Sequence, residues 1–510
     1  MNKRSQGKTV SRRHFFKLTG GSTLFAAGMG LLPFKNLLGP LSMAEANAQA
    51  VTVNPPPDLY FGGTDGWISL PKSPVIHSAS LGGVKTHPDD LAPIALDTAD
   101  GKGLTTYIFG FRNVTGLSDA QRAAQKNHAQ HNAPMFWLDQ YNPASPRDFR
   151  INLTNLGLAL RPDLFDAHTI HWHGFRNVIT FFDGEPTGSI AVTAGRVFQY
   201  VYRPRDPGTY MFHCHVEDVE HVHMGMTGPV FVRALQNSTG GGVGAPVARL
   251  GGNTDTSVYV PLGYAYNDGV PTSSPMSTAY DREFAIFCSE VWGDSHWADA
   301  HIQLPEWSDY RADFSLLNGR VYPDTLAPHA PMNMPLSLTP GIHAMPVVTD
   351  ADGDLTVTPG YEYLKYQPLS ALVTCNAGDR VLLRFANLGF KESAMTLDGP
   401  RLRVVGKDAT PMRGVGADGV TRNGADTSYE ASTVSFGAGE SIDAIFVAPA
   451  FSGGTGTSGQ GYDVYLLYDR AYERSNNLAA TGTGLPYGGR QTEVRVYPGA
   501  TLPQQLLPNT

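Results

Sequence analysis

Cysteine is nearly absent from this chain, with three residues in 510: Cys214, Cys288 and Cys375. Three thiols exclude a disulfide framework, even for an exported protein. Cys288, in FAIFCSEVW, and Cys375, in ALVTC, read as buried thiols on strands, a bridge between them being the alternative. Charge is thin as well, at 16% of residues, and basic charge is the scarcer sign. Residues 1–50 hold seven Lys/Arg and one Glu, and without them the balance is 31 basic against 45 acidic residues, or −14. That balance argues against nucleic acid and anionic membranes as partners. Long helices are not expected either, because 56 glycines and 37 prolines favour short strands joined by turns. With 41% hydrophobic residues, the chain has enough apolar surface for two or three packed domains.

The first fifty residues stand apart. Ser11-Arg12-Arg13-His14-Phe15-Phe16-Lys17 is a twin-arginine pattern, followed by the modestly apolar LTGGSTLFAAGMGLLPF. Ala46, Ala48 and Ala50 offer a small-residue cleavage site. The apolar run is broken by Gly and Pro and is short for a membrane span. Residues 1–50 are therefore expected to be an export signal, with a periplasmic or secreted destination and no membrane span after its removal. An N-terminal extension over 51–95 is expected to follow.

The remainder is strand-rich and written twice. RVFQYVYRP (196–204) alternates, with Phe198, Tyr200 and Tyr202 on one face. A helix is expected over SDAQRAAQKNHA (118–129), with Ser118 as its N-cap. DFRINLTNLG (148–157) pairs with DRVLLRFANLG (379–389), HTIHWHGFR (168–176) with SAMTLDGPR (393–401), and GTYMFHCH (208–215) with GYDVYLLY (461–468). Three paired segments in one order predict a duplicated all-β unit, with the spacing of a Greek-key sandwich. The copies are expected at 96–235 and 276–500. They would be joined by a Gly-rich linker over 236–275, whose most glycine-rich part lies in LQNSTGGGVGAPVARLGGN (235–253).

Chemistry concentrates in the first copy. Seven of 16 histidines fall in HTIHWH and HCHVEDVEHVHMGM. Cys214, His221 and Met226 are soft ligands, and with His168 from another strand they form the two-His, one-Cys, weak-Met set suited to copper. A tetrahedral zinc site needs neither the Met nor the flanking imidazoles. His171 and His173 share one side of an extended segment, and His213 and His215 share the side opposite Cys214. A second metal group is expected there, with the backbone around Cys214 as the electron path between the two.

On these residues the chain resembles a multicopper oxidase of the laccase type, built from two tandem cupredoxin-like Greek-key β-sandwich domains. The resemblance runs over about residues 100–500, with the metal motif in the first copy alone. It implies type 1 copper ligands at His168, Cys214, His221 and Met226. It implies type 2 and type 3 ligands at His171, His173, His213 and His215, with Cys214, His213 and His215 carrying electrons to them. The loop VEDVE is two residues longer than the usual laccase loop. Copper nitrite reductases, also with a longer loop, usually carry Asp at the position of His171 and a small apolar residue at that of His215, so this chain sides with the oxidases.

The second copy has no such residues. Ser393, Thr396 and Asp398 stand against His168, His171 and His173, and Leu466, Leu467 and Tyr468 against His213, Cys214 and His215. Missing ligands would have to come from His128 and His131, from His296 and His301, or from a neighbouring subunit, since two-domain relatives are commonly trimers. The bland reading of those pairs is polar loop residues. Glu217, Asp218 and Glu220 have two readings, a solvated acidic loop or a receiver for a cationic reductant such as Mn²⁺ or Fe²⁺. His223 shares that status. Asp183 reads as a turn residue before Gly184, or as a proton relay.

The expectation is a copper oxidase. It would take electrons from a phenol-like or metal-ion reductant at a type 1 copper and pass them to a second copper site that reduces O₂. A type 1 copper electron carrier is the alternative, and copper nitrite reduction a weaker one.

Overall fold

Short strands with alternate residues buried set the architecture in this computed structural model. The structure describes residues 55–70, 106–237, 263–300, 305–334, 342–419, 421–454, 461–475 and 489–510. The expected export signal, most of the Gly-rich junction and His301 lie outside them.

The first copy runs β1 (Leu59–Ile68), β2 (Thr106–Asn113), α1 (Asp119–Ala123), β3 (Phe136–Asp139), β4 (Phe149–Gly157) and β5 (His171–His173). It continues with β6 (Val197–Tyr202), β7 (Gly208–His213), α2 (Asp218–Met224) and β8 (Thr227–Arg233). The second half runs β9 (Gly263–Tyr264), β10 (Ala279–Tyr280), β11 (Arg282–Val291), α3 (Gly293–Ala300), β12 (Phe314–Leu317) and β13 (Val373–Asn376). Then come β14 (Arg380–Asn387), β15 (Ser393–Leu397), β16 (Leu402–Lys407), β17 (Thr410–Pro411), β18 (Tyr429–Ala431) and β19 (Thr433–Phe436). The chain closes with β20 (Ser441–Val447), β21 (Asp463–Asp469), α4 (Tyr472–Ser475) and β22 (Gln491–Tyr497).

Each half is a two-sheet, cupredoxin-like sandwich of the same plan. Sheets β2-β1-β4-β6 and β3-β8-β7-β5 of the first copy answer to β12-β11-β14-β20 and β13-β22-β21-β15 of the second. The parallel pairs coincide too, β1 with β4 as β11 with β14, and β3 with β8 as β13 with β22. The inner faces follow from alternation. In FRINLTNLG, Phe149, Ile151 and Leu153 point inward, and in VFQYVY, Tyr200 and Tyr202 do so while Val197 is exposed. Each sandwich has its own core, the first around Phe61, Ile151, Trp172 and Phe212, the second around Ile286, Leu383, Met395 and Val494.

The copies pack against each other through β7. Strand β14 is buried on both faces, because Met211 of β7 covers Ala386 and Phe287. Beside them Arg384 joins Glu283 at 3.1 Å and Asp443 at 3.4 Å, and Thr209 of β7 donates to Asp443 at 2.5 Å.

Several expectations are corrected. Residues 59–68, expected in an extension, form β1, the strand that pairs with both β2 and β4. Residues 263–264, expected in the linker, pair as β9 with β10, and Tyr264 and Tyr266 are buried. The helix expected over 118–129 stops at Ala123. Its Ser118–Gln121 capping box forms, but Asn127 turns left-handed and the chain folds back onto β1. Helices α2 and α3 were not foreseen. Cys288 and Cys375 are free thiols, both buried.

The pairing of GTYMFHCH with GYDVYLLY is also off by two residues. His171 faces His213 across β5 and β7, while its counterpart Thr396 faces Tyr468, not Leu466. The next ladder agrees, running Gly208 to His213 on one side and Asp463 to Tyr468 on the other. Tyr468, Asp469 and Arg470 therefore occupy the places of His213, Cys214 and His215.

Candidate metal centres

Backbone pairing brings the sulfur ligands together. The Cys214 amide donates to Met226 O at 3.0 Å and the Met226 amide to His221 O at 2.9 Å. The intervening residues close as α2, which ends at Gly225 with φ 114°. A side chain at Gly225 is excluded twice, by that φ and because its Cβ would lie 2.3 Å from His131 Nδ1. His168 arrives from the segment before β5, its backbone bridged to Val192.

His168, Cys214, His221 and Met226 are all fully buried. Cys214 Sγ lies 3.2 Å from His221 Nδ1, and the ligand atoms of His168, Cys214 and His221 are all within 4.8 Å of one another. Met226 closes the group. The backbone of Gly63 on β1 passes so near that a Cβ there would be 2.7 Å from His168 Cδ2 and 3.4 Å from Met226 Cε. The Thr169 amide points at the sulfur from 3.4 Å. Burial pushes the Cys214 thiol up, but the His221 and His168 imidazoles outweigh it and hold the thiol well below its usual range. Neither ring nitrogen of His168 has a conventional hydrogen-bond partner, and the polar atom it faces is the Cys214 sulfur. A buried imidazole left in that state beside a thiolate fits a bound soft metal ion.

The second group lies on the far side of the same tripeptide. His171, His173 and His213 have ligand nitrogens within 4.8 Å of one another. The His215 ring is 4.8 Å from that of His171 and 5.4 Å from that of His213. Burial lowers His171, His173 and His213 below the usual imidazole range, which favours the neutral ring with one lone pair. His213 Nδ1 donates to Cys214 O at 2.8 Å, leaving Nε2 unprotonated. His173 Nε2 donates to Gly439 O at 3.2 Å, leaving Nδ1 unprotonated. Those two lone pairs then face each other across 3.3 Å. Such an arrangement is repulsive unless a cation lies between or beside them. His171 Nδ1 likewise donates to Asp183 O at 2.9 Å and keeps Nε2 free.

Other candidates go elsewhere. Among the described residues, no metal-spaced group includes His128, His131 or His296. His128 sits 3.4 Å from Asp354 and stacks on Tyr366. His296 Nδ1 bonds Tyr107 O at 2.6 Å. His131 is buried beside Gly225, on the α2 side of the molecule. His223 accepts from the Trp292 amide at 3.1 Å and is enclosed by Trp307, Tyr310 and Phe390. Asp183 ends a turn before Gly184, and its carboxylate oxygen lies 3.6 Å from His171 Nδ1. Sequence reasoning missed Asp166, which takes His221 Nε2–H at 3.3 Å, although it stands only two residues before His168. It also missed Gly63 and Gly439, for which nothing local gave a signal.

The second copy has a different occupant at the matching place. The Asp469 amide donates to Arg490 O, as that of Cys214 does to Met226 O, so Arg490 takes the place of Met226. Its guanidinium reaches Ser393 Oγ at 2.6 Å, Asp469 at 3.5 Å and Glu290 at 3.2 Å. Ser393 and Asp469 are the counterparts of His168 and Cys214.

A family model described as multicopper oxidase matches residues 152–237. That segment contains all eight residues of the two groups, and it marks the chain as an oxidoreductase with copper as its cofactor. No curated protein matches the chain. Among solved structures, similar ones include a blue copper oxidase from Nitrosomonas europaea. It is 16% identical over 86% of this chain and 85% of its own, with a TM-score of 0.45. A laccase from Botrytis aclada is 14% identical over 88% of this chain and 56% of its own, TM-score 0.43. A copper-containing nitrite reductase from Thermus scotoductus is 13% identical over 88% and 62%, TM-score 0.43.

Proposed function

We propose that the protein is an exported copper-dependent oxidase that draws electrons one at a time into the Cys214 group and passes them to the His171–His173–His213–His215 group, where O₂ is reduced. The observation that carries this reading is the tripeptide His213-Cys214-His215. Its middle side chain belongs to one group and its outer side chains to the other. An electron therefore needs to cross only the covalent backbone of one tripeptide.

Copper, when bound, supplies one-electron chemistry at Cys214 and dioxygen reduction at the histidines. The protein's own residues hold the ligands ready. Asp166 takes the Nε2 proton of His221 and so aims Nδ1 at the sulfur. The Cys214 and Asp183 carbonyls fix the rings of His213 and His171 in the same way. The Thr169 amide stabilises the thiolate. Among the described residues no helix is long and apolar enough to cross a membrane.

The test is copper per chain in the metal-loaded protein, with its visible and spin-resonance spectra and its oxygen uptake. Two or more coppers, a strong blue band and O₂ consumption support the oxidase. One copper with a blue band and no O₂ consumption leaves the electron carrier, the reading favoured by the lack of metal ligands at Thr396, Tyr468 and Arg470. The native mass of the loaded protein tests whether a trimer supplies further ligands.

A further inference from the structure

Basic charge is scarce in this chain, yet three arginines of the second sandwich meet on one face, and strand register puts them there. Arg380 of β14 pairs with Val447 of β20, Ile445 of β20 with Arg403 of β16, and Arg403 in turn with Glu430 of β18. Residues directly opposite one another, or two apart on one strand, point to the same side of a sheet. Arg380, Arg403 and Glu430 therefore share the outer side, with Arg401 two residues before Arg403. Val381, Leu402, Val404 and Phe446 belong to the core on the inner side. The β9–β10 segment covers part of the outer side, where Tyr266 and Tyr280 cluster with Leu382 and Ile445. Beyond that cover lies an open groove of about 440 Å³, lined by the three arginines, Glu430, Val447 and the loop 272–275.

The arginines hold the loop but are not neutralised. Arg380 donates from Nη1 to Thr272 O at 3.1 Å and from Nη2 to Ser277 O at 2.7 Å. Arg403 donates from Nη1 to the same Ser277 O at 2.9 Å and from Nε to Ser428 Oγ at 3.0 Å. Two guanidiniums thus converge on one carbonyl. Arg401 donates to Glu430 O at 3.2 Å. Among the described residues no carboxylate oxygen lies within 4.0 Å of the Arg380 or Arg401 guanidinium, and Asp426 reaches Arg403 only at 4.0 Å. By contrast Arg282, Arg384 and Arg490 of the same half have carboxylates at 2.8, 3.1 and 3.2 Å. Burial lowers the Arg403 guanidinium, Asp426 pulls it back up, and Arg380 lowers it further. Like charges gathered on one sheet face repel each other, and an anion seated among them relieves that repulsion.

We propose that this groove binds an oxyanion, the phosphate or carboxylate group of a small organic ligand, between Arg380, Arg401 and Arg403. The planar fork of a guanidinium matches both groups. Val447, paired with Arg380 and 59% exposed, gives an apolar part of the ligand a surface to lie on. Glu430 is the one carboxylate among the lining residues, and it is exposed. The site lies on the sandwich that carries neither copper group, and it does not depend on the copper-oxidase reading.

The experiment is calorimetric titration of the copper-loaded protein at low ionic strength, with inorganic phosphate and separately with citrate. One saturable site is expected, weakening as salt rises. Arg401→Gln, whose side chain holds only the Glu430 carbonyl, should weaken binding by about fivefold, and Arg403→Gln should weaken it too. Glu430→Gln should tighten it by about twofold, a gain that damage to the fold does not produce. Arg196→Gln, at an exposed arginine of the first sandwich, changes the net charge equally and should leave binding alone. Copper content and the blue band should stay constant throughout. Saturable binding of either probe with this pattern supports the site, and the probe that binds tells phosphate from carboxylate. No saturable binding of either, or equal losses in Arg401→Gln and Arg196→Gln, would overturn it. The oxidase reading stands or falls separately, on copper content and O₂ uptake.

Discussion

The first copy places His168, Cys214 and Met226 around a buried point, and the second copy places Ser393, Asp469 and Arg490 around the equivalent one. The two points are reached by the same strands and the same backbone hydrogen bond, from Cys214 to Met226 and from Asp469 to Arg490. On the function we propose, one sandwich leaves its positive charge to a bound ion. The other builds it in, as a guanidinium held by Asp469 and Glu290. The fold thus supplies a place for a buried cation, and side-chain choice decides whether that cation is a metal. A fixed guanidinium satisfies its carboxylates permanently and has no redox chemistry. A thiolate and two imidazoles do the reverse.

The sharpest break of this contrast is Cys214→Ser. It should abolish the blue absorption and the reductant-driven O₂ uptake together, while the second sandwich is untouched, as checked by absorption and oxygen-electrode measurements. Next is Arg490→Met, which puts the first copy's residue into the second. It leaves Asp469 and Glu290 buried without their partner and should cost about 3–5 kcal/mol in urea unfolding, with copper content unchanged. Gly63→Val comes third. Its side chain would run into His168, so a loss of about 1–3 kcal/mol is expected from overpacking. The same variant should show a weakened blue band. Cys288, the counterpart of Gly63 in the second copy, already carries a side chain at that position.

Asp166→Asn should be milder, lowering copper affinity at the Cys214 group by about 10–100-fold as His221 loses its orienting carboxylate, measured by competition with a chelator. The smallest effect is expected of His128→Asn. Its ring serves Asp354 and Tyr366, so copper content should not change. A fall by one copper equivalent would show that His128 completes the second centre after all.

The contrast was only partly legible beforehand. HTIHWH and HCH announce themselves because each packs several metal-binding side chains into a few residues, and strand alternation says which of them share a side. The slip of two residues between GTYMFHCH and its counterpart has a physical cause. A strand repeats every two residues, so a shift of two keeps every side chain on its own face and leaves the hydrophobic pattern intact. Cross-strand pairing alone reveals it. Strand β1 was missed because GGTDG dilutes the apolar signal of LYFGGTDGWI. Those glycines are what lets β1 approach His168 and Ala129.

By itself, the sequence pointed to the donor set and made the duplication, the class of fold and copper legible, because these depend on residue type and on periods that run along the chain. Tertiary structure alone decided the rest. It set Asp166 behind His221, brought Asp299 from the second half to Glu220, and turned His173 and His213 lone pair to lone pair. All of these join residues far apart in the chain or turned toward each other by packing, and only the closing of two sandwiches on their cores sets such distances.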